Sequence, residues 1–221
     1  MSKNYIIAID GPSASGKSTV AYKLAKKLNM IYVDSGSFYR GITWYALKKN
    51  YSLEDSELFS KRIFNENWNF YLENNQVIFS VNGFRPNEEL RSKEVRESVA
   101  FVAKLKSVRE FVVSNLRKCK AFGSLVIEGR DIGSVVFPKT PHKFYLDADI
   151  KERAHRRYNE LEKIGDGENA DEVLKSLNKR DSIDINRSKD PLIIPSDAII
   201  IDSTDLTLDE VIEIIFSKVN D

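Results

Sequence analysis

The sequence predicts an α/β fold: a five-stranded parallel sheet flanked by helices, carrying a small antiparallel insert. Three observations lead there. Residues 6–28 read IIAIDGPSASGKSTVAYKLAKKL, an apolar run, a Gly/Ser loop and then helical spacing. Along the 221 residues, short apolar runs alternate with segments of helical periodicity, the pattern of a doubly wound sheet. Between 68 and 85 the texture turns aromatic and β-branched, which marks a hairpin rather than another helix.

Residues 5–9 are β-branched and apolar, a buried parallel strand. GPSASGKS, Gly11 to Ser18, fits G-x-x-x-x-G-K-[ST] without a mismatch. Gly11 and Gly16 permit backbone angles and a close approach that a Cβ would block. The backbone N–H groups then point inward at phosphate oxygens, with a helix N-terminus behind them. Lys17 adds positive charge near the β- and γ-phosphates, and Ser18 offers a hydroxyl to Mg²⁺. Val20, Ala21, Leu24, Ala25 and Leu28 recur at helical spacing, so this helix packs on the sheet.

A second strand over 31–33 ends at Asp34, and helices are expected over 37–49 and 53–67. Residues 68–72 and 77–81 form the hairpin; Asn82 and Gly83 make a tight turn, and 84–85 start a third strand. Helices resume over 92–103 and 107–122. Residues 124–128 and 143–146 are core strands. Helices follow at 150–164 and 170–181, then a last strand at 198–202 and a closing helix at 208–219. GDGEN, 165–169, is the best candidate for a mobile loop.

Charge is high but balanced, with 34 Lys and Arg against 33 Asp and Glu. No overall field therefore favours nucleic acid or a membrane. A single cysteine, Cys119, allows no intramolecular disulfide and suits a reducing cytoplasm. No apolar run reaches membrane-spanning length, and no signal peptide is expected.

A phosphate loop can serve a switch, a motor or a kinase. A GTP-binding switch reads guanine through Asn-Lys-x-Asp after a strand. Asn178 to Asp181 match those letters, but the residues before them are helical in pattern. A motor needs an apolar strand ending in Asp-Glu, and no strand here ends that way. A kinase needs a second anionic site facing the loop. Tyr39 and Arg40 follow the second strand, and Arg130 and Asp131 follow a later one, on the same rim of the sheet. Arg153 and Arg157 are helical neighbours at i,i+4. With Arg180, Asp184 and Arg187 they make too many cations for one nucleotide and suit two phosphorylated substrates.

At these residues the chain resembles the bacterial cytidylate kinases, a branch of the P-loop nucleoside monophosphate kinases, over nearly its whole length. The matching stretches include IDGPSASGKST, DSGSFYR, GRDIGSVVFP, FYLDADIKERAHRR, KRDSIDINR and PLIIPSDAIIIDST. The resemblance implies transfer from ATP to CMP, with dCMP also accepted, by a cytoplasmic monomer. It also implies a core of 1–35, 107–150 and 190–221, an acceptor-binding region at 36–106 with its antiparallel insert at 68–85, and a short helical lid at about 151–187.

Family roles carry over where residues match. The loop residues Gly11, Pro12, Ser13, Ala14, Ser15, Gly16, Lys17, Ser18 and Thr19 would hold ATP, with Ser18 on Mg²⁺. Ser35, Tyr39, Arg40, Arg109, Arg130, Asp131, Arg180, Asp184 and Arg187 fall on CMP-binding positions. Arg40 and Arg130 would hold the acceptor phosphate, Asp131 and Arg109 read the base, and Asp184 with Arg180 read the sugar. Arg153 and Arg157 resemble lid arginines that close on the phosphoryl group. Catalysis would rest on Lys17, Arg130, Asp131, Arg153 and Arg157. Three departures stand out. Ala100 replaces a serine near the base, Ser107 a proline before Val108 and Arg109, and Cys119-Lys120 a Gln-Arg pair. Kinases of the same fold that act on AMP, UMP, shikimate or dephospho-coenzyme A are the alternatives.

Overall fold

The computed structural model describes residues 4–52, 56–163, 165 and 167–220. In chain order its elements are β1 (Ile6–Asp10), α1 (Lys17–Lys27), β2 (Ile31–Asp34), α2 (Ser35–Lys48), α3 (Ser56–Phe64), β3 (Trp68–Glu73) and β4 (Gln76–Val81). They continue as α4 (Lys93–Ala103), α5 (Lys106–Lys118), β5 (Leu125–Gly129), β6 (His142–Asp147), α6 (Ile150–Lys163), α7 (Ala170–Asn186), β7 (Ile199–Asp202) and α8 (Leu208–Asn220). The expected helix start at Leu53, the expected helix end at Ile164, and Asp166 of the 165–169 stretch lie outside the described residues. Glu168 of that stretch is tied down: its Oε1 accepts from Arg96 Nη2 at 3.0 Å.

The sheet order is β3-β4-β2-β5-β1-β6-β7. Five strands, β2, β5, β1, β6 and β7, run parallel as expected. β1 and β5 at the centre are buried at every residue, as strands covered on both faces must be. The hairpin corrects one expectation. It forms no separate antiparallel sheet, because β4 runs parallel beside β2, with Tyr32 opposite Gln76 and Tyr32 N–H donating to Asn75 O at 2.9 Å. The sheet is thus seven-stranded and mixed. Phe84 makes one bridge to Val81 rather than a third strand.

Two cores cover the two faces. One packs α2, α4 and α5 through Phe38, Ile42, Val99, Val112 and Leu116 onto Val33 and Ile127. The other packs α1 and α8 through Leu24, Val211 and Ile215 onto Ile7, Ile9 and Phe144. Each such side chain contributes about 1.5–3 kcal/mol on burial. Gly41 lets α2 meet the hairpin, since a Cβ there would fall 2.2 Å from the Phe79 ring. A third cluster, Ala154, Leu161, Val173 and Leu177, joins α6 to α7. Among the described residues no helix is long and apolar enough to cross a membrane.

Candidate active site

The loop after β1 has the form its glycines predict. Gly11 has φ +151°, and a Cβ there would lie 2.0 Å from Leu146 O. Gly16 caps α1 at φ +90° with no side chain bonded to the first turn, so those N–H groups stay open toward an anion. Ser15 Oγ donates to Pro12 O at 3.2 Å. Lys17 is buried and curls onto its own loop, donating to Ser15 Oγ at 3.1 Å and to Pro12 O. Burial, then repulsion from Arg130, pushes its pKa down to about 7. A cation held this way gains from a nearby anion.

Ser18 Oγ donates to Glu128 Oε1 at 2.8 Å. Glu128 ends β5 directly opposite Asp34, which ends β2. Burial, then the Asp34 charge, raises the Glu128 pKa to about 7. Although Arg40 also pairs with Asp34, two carboxylates and a hydroxyl converge here as an all-oxygen donor set. It fits Mg²⁺, which takes one or two carboxylates together with substrate phosphates. The sequence reading named Ser18 alone and looked for an Asp-Glu strand end. The usable signal was an apolar strand ending in the single acid Glu128.

Across the cleft stands a group of arginines. Arg40 pairs with Asp34 at 2.5 Å, yet its buried Nε has no hydrogen-bond partner. Arg130 donates to Asp184 Oδ2 at 2.9 Å and to Ser13 Oγ at 2.8 Å. Arg180 has no hydrogen bond or ion pair among the described residues. Its pKa falls to about 10, first through burial, then through Arg130, with Asp184 opposing and Arg40 and Arg157 adding repulsion. Such crowding of cations is unfavourable unless an anion joins them.

A third corner is built on Asp131. Arg109, fully buried, donates to Asp131 and lies 5.6 Å over the Tyr39 ring. Arg187 approaches Asp131 at 3.8 Å and Asp184 at 3.5 Å. Beneath, Asp10 accepts the N–H groups of Ile132 and Gly133 at 2.8 and 2.7 Å, pinning the segment that carries Arg130 and Asp131. Ser35 is buried against Gly129, where a Cβ would meet its Oγ at 2.5 Å. Lys17, Ser18, Asp34, Ser35, Tyr39, Arg40, Arg109, Glu128, Arg130, Asp131, Arg180, Asp184 and Arg187 rim one cleft of roughly 760 Å³, with Asp10 behind its wall. Ala100 lines it from α4, as do Thr19 and Ala14 from the loop side.

Arg153 and Arg157 part company. Arg157 lines the cleft and pairs with Glu160 at 2.8 Å. Arg153 turns inward, donating to Ala148 O and Ser13 O at 3.0 Å each and to Asp181. Asp181 also accepts from Ser13 N at 3.0 Å. In this geometry Arg153 braces the phosphate loop against α7 rather than facing the cleft. The same bonds engage the Asp of the 178–181 match, which lies within α7 and has no free carboxylate edge to read guanine. Sequence reasoning also missed Asp10, whose partners lie 122 and 123 residues away, and Asp190, which joins Arg109, 81 residues away, to Arg187 in its own turn. Cys119 and Ser107 are remote in role: Cys119 is in the core, and Ser107 Oγ bonds Ser60 Oγ at 2.5 Å.

Comparison with known proteins finds relatives that span nearly the whole chain. The family model described as Cytidylate kinase matches residues 7–221. A cytidylate kinase of Caldanaerobacter subterraneus subsp. tengcongensis is 43% identical over 96% of this chain and 93% of its own. One from Clostridioides difficile is 40% identical over 98% and 99%. Among solved structures, an uncharacterized protein from Eubacterium ventriosum shares the fold, with TM-score 0.50 and 16% identity over 98% of this chain and 99% of its own.

Proposed function

The chain belongs to the cytidylate kinase family, a family of phosphotransferases, and we propose that it transfers the γ-phosphoryl group of ATP to CMP and dCMP. One phosphate oxygen of the acceptor attacks the γ-phosphorus. The bond from that phosphorus to the β,γ-bridging oxygen breaks, giving ADP and CDP or dCDP. The acceptor phosphate is already anionic, so no general base is needed, and catalysis is positioning plus charge neutralisation.

The observation that carries this reading is Arg180, a cation with no hydrogen bond or ion pair among the described residues, set beside Arg130 and Arg40 and across one cleft from the phosphate loop. An acceptor phosphate relieves that crowding. Arg40 and Arg130 then hold the acceptor phosphate, and Lys17, released from Pro12 O, follows the γ-phosphate. Ser18, Glu128 and Asp34 are the residues that would hold Mg²⁺, which when bound neutralises charge on the β- and γ-oxygens. Arg157 is placed to approach the phosphoryl group from α6. Asp131 offers acceptors to an exocyclic amino group, and Arg109 and Arg187 offer donors to ring nitrogen and carbonyl, a set suited to cytosine. Asp184 with Arg180 faces the sugar. We assign 36–106 as the acceptor-binding region and about 151–187 as the lid.

The test is ADP formation with ATP, with and without Mg²⁺, against CMP, dCMP, UMP, AMP and shikimate. CMP and dCMP should lead, since buried polar groups left unpaired by a wrong base penalise it strongly. Equal kcat/KM for CMP and AMP refutes the reading.

A further inference from the structure

We propose that Asp190 is a positioning residue for base selection, acting through the two guanidinium groups that flank Asp131. Asp190 belongs neither to the phosphate loop nor to the residues lining the cleft, but it bonds two that line it. It follows Arg187, the residue that caps α7, and has φ +51°, a left-handed conformation that aspartate tolerates better than most side chains. That turn aims its two acceptors at different elements. The carbonyl accepts from Arg187 Nε at 2.6 Å, and carboxylate Oδ2 accepts from Arg109 Nε at 2.9 Å. One residue thus cross-braces an arginine of α5 and an arginine at the end of α7.

The brace decides what each guanidinium has left to offer. Arg109 is fully buried, so its Nε needs an acceptor, and Asp190 supplies it while Asp131 and Ala103 O take the terminal nitrogens. This fixes the guanidinium plane over Tyr39. Arg187, with Nε held by the Asp190 carbonyl, keeps a buried Nη2 that has no hydrogen-bond partner. That nitrogen is an uncommitted donor beside the Asp131 carboxylate. The Asp190 charge shares Arg109 with Asp131, as Asp184 shares Arg187, which leaves Asp131 carboxylate capacity for a base. Leu192 N–H, bonded to Asp184 O at 2.8 Å, holds the following chain against α7, so the turn does not swing free.

This inference rests on the reading that the Asp131 corner receives the base, and the experiment separates the two. The wild-type chain is first assayed with CMP and UMP. No preference for CMP there refutes the corner reading itself. Two variants follow. Asp190→Gly keeps the left-handed turn, which glycine adopts freely, and keeps the carbonyl bond to Arg187 while removing the carboxylate. Asp190→Asn tolerates the turn and leaves one neutral acceptor for Arg109. Loss of a charge-assisted bond should raise KM for CMP about tenfold in the Gly variant and about threefold in the Asn variant. KM for ATP should stay within about twofold, and the CMP-to-UMP preference should shrink in the same order. A folded variant of either kind that keeps the wild-type KM and preference overturns the proposal. So does a parallel fall in kcat and in both affinities, which marks a purely structural role. If the Gly variant does not fold, the Asn variant decides alone.

Discussion

Replacing Arg180 with methionine should make the protein more stable and a worse enzyme. Arg180 carries a charge with no hydrogen bond or ion pair among the described residues, and its pKa is lowered to about 10, through burial first and Arg130 second. Arginine stays protonated at neutral pH, so that depression is a standing cost of folding with the charge in place. At about 1.36 kcal/mol per unit the cost is on the order of 3 kcal/mol. Water in an open cleft screens it to about 1–2 kcal/mol. Methionine keeps much of the aliphatic stem and removes the charge. For a chain of this length about 1 kcal/mol moves Tm by about 2–4 °C, so Arg180→Met should melt about 3–6 °C above wild type. CMP at one hundred times its Kd should stabilise wild type by about 2.7 kcal/mol and the variant far less. Its KM for CMP should rise about ten- to a hundredfold, the loss of a charge-assisted contact. Thermal melts with and without CMP, alongside an ADP-coupled assay, read both effects. A variant that melts lower than wild type yet keeps the full CMP-induced shift would refute the reasoning.

Two further outcomes can be measured. Asp10 has its pKa raised from 3.8 to about 6, chiefly by burial. A raised carboxyl stabilises the fold below its unfolded pKa and loses that contribution as pH rises through the folded value. The stability of wild type minus that of Asp10→Asn should therefore drop by about 3 kcal/mol between pH 3 and pH 7, read by denaturant unfolding at each pH; a flat difference contradicts it. Ala100→Ser restores a hydroxyl to the α4 wall of the cleft and should raise kcat/KM for CMP about two- to tenfold while widening its lead over UMP. No change in Ala100→Ser would show that this position of α4 does not reach the base.

What could be read in the sequence was local. The strand, loop and helix of 6–28 lie within one short window, and their chemistry is written in consecutive residues. The five parallel strands announced themselves as apolar runs. The end of α7 did not. It was expected at Asp181 and runs to Asn186, because its last turn is polar and is held by Asp184 against Arg130, a partner 54 residues away. The hairpin pattern was legible, but its continuity with the main sheet depends on one register contact between Tyr32 and Gln76 that no local pattern encodes. Arg153 and Arg157 share a face by spacing. Their fates differ because Asp181 lies beside one of them and not the other. Glu128 was legible only as the end of a core strand, and its bond to Ser18 required the strand order to be known.

Ser13 has every polar group engaged by a different part of the molecule: its N–H by Asp181 of α7, its carbonyl by Arg153 of α6, its hydroxyl by Arg130 after β5. It is a junction where three elements report to the loop that would cradle the donor. An anion that draws Arg130 toward the cleft must loosen that guanidinium from the Ser13 hydroxyl and so alter the loop. The two substrates then cannot bind as strangers. Whatever factor the acceptor imposes on donor affinity, the donor must impose on the acceptor.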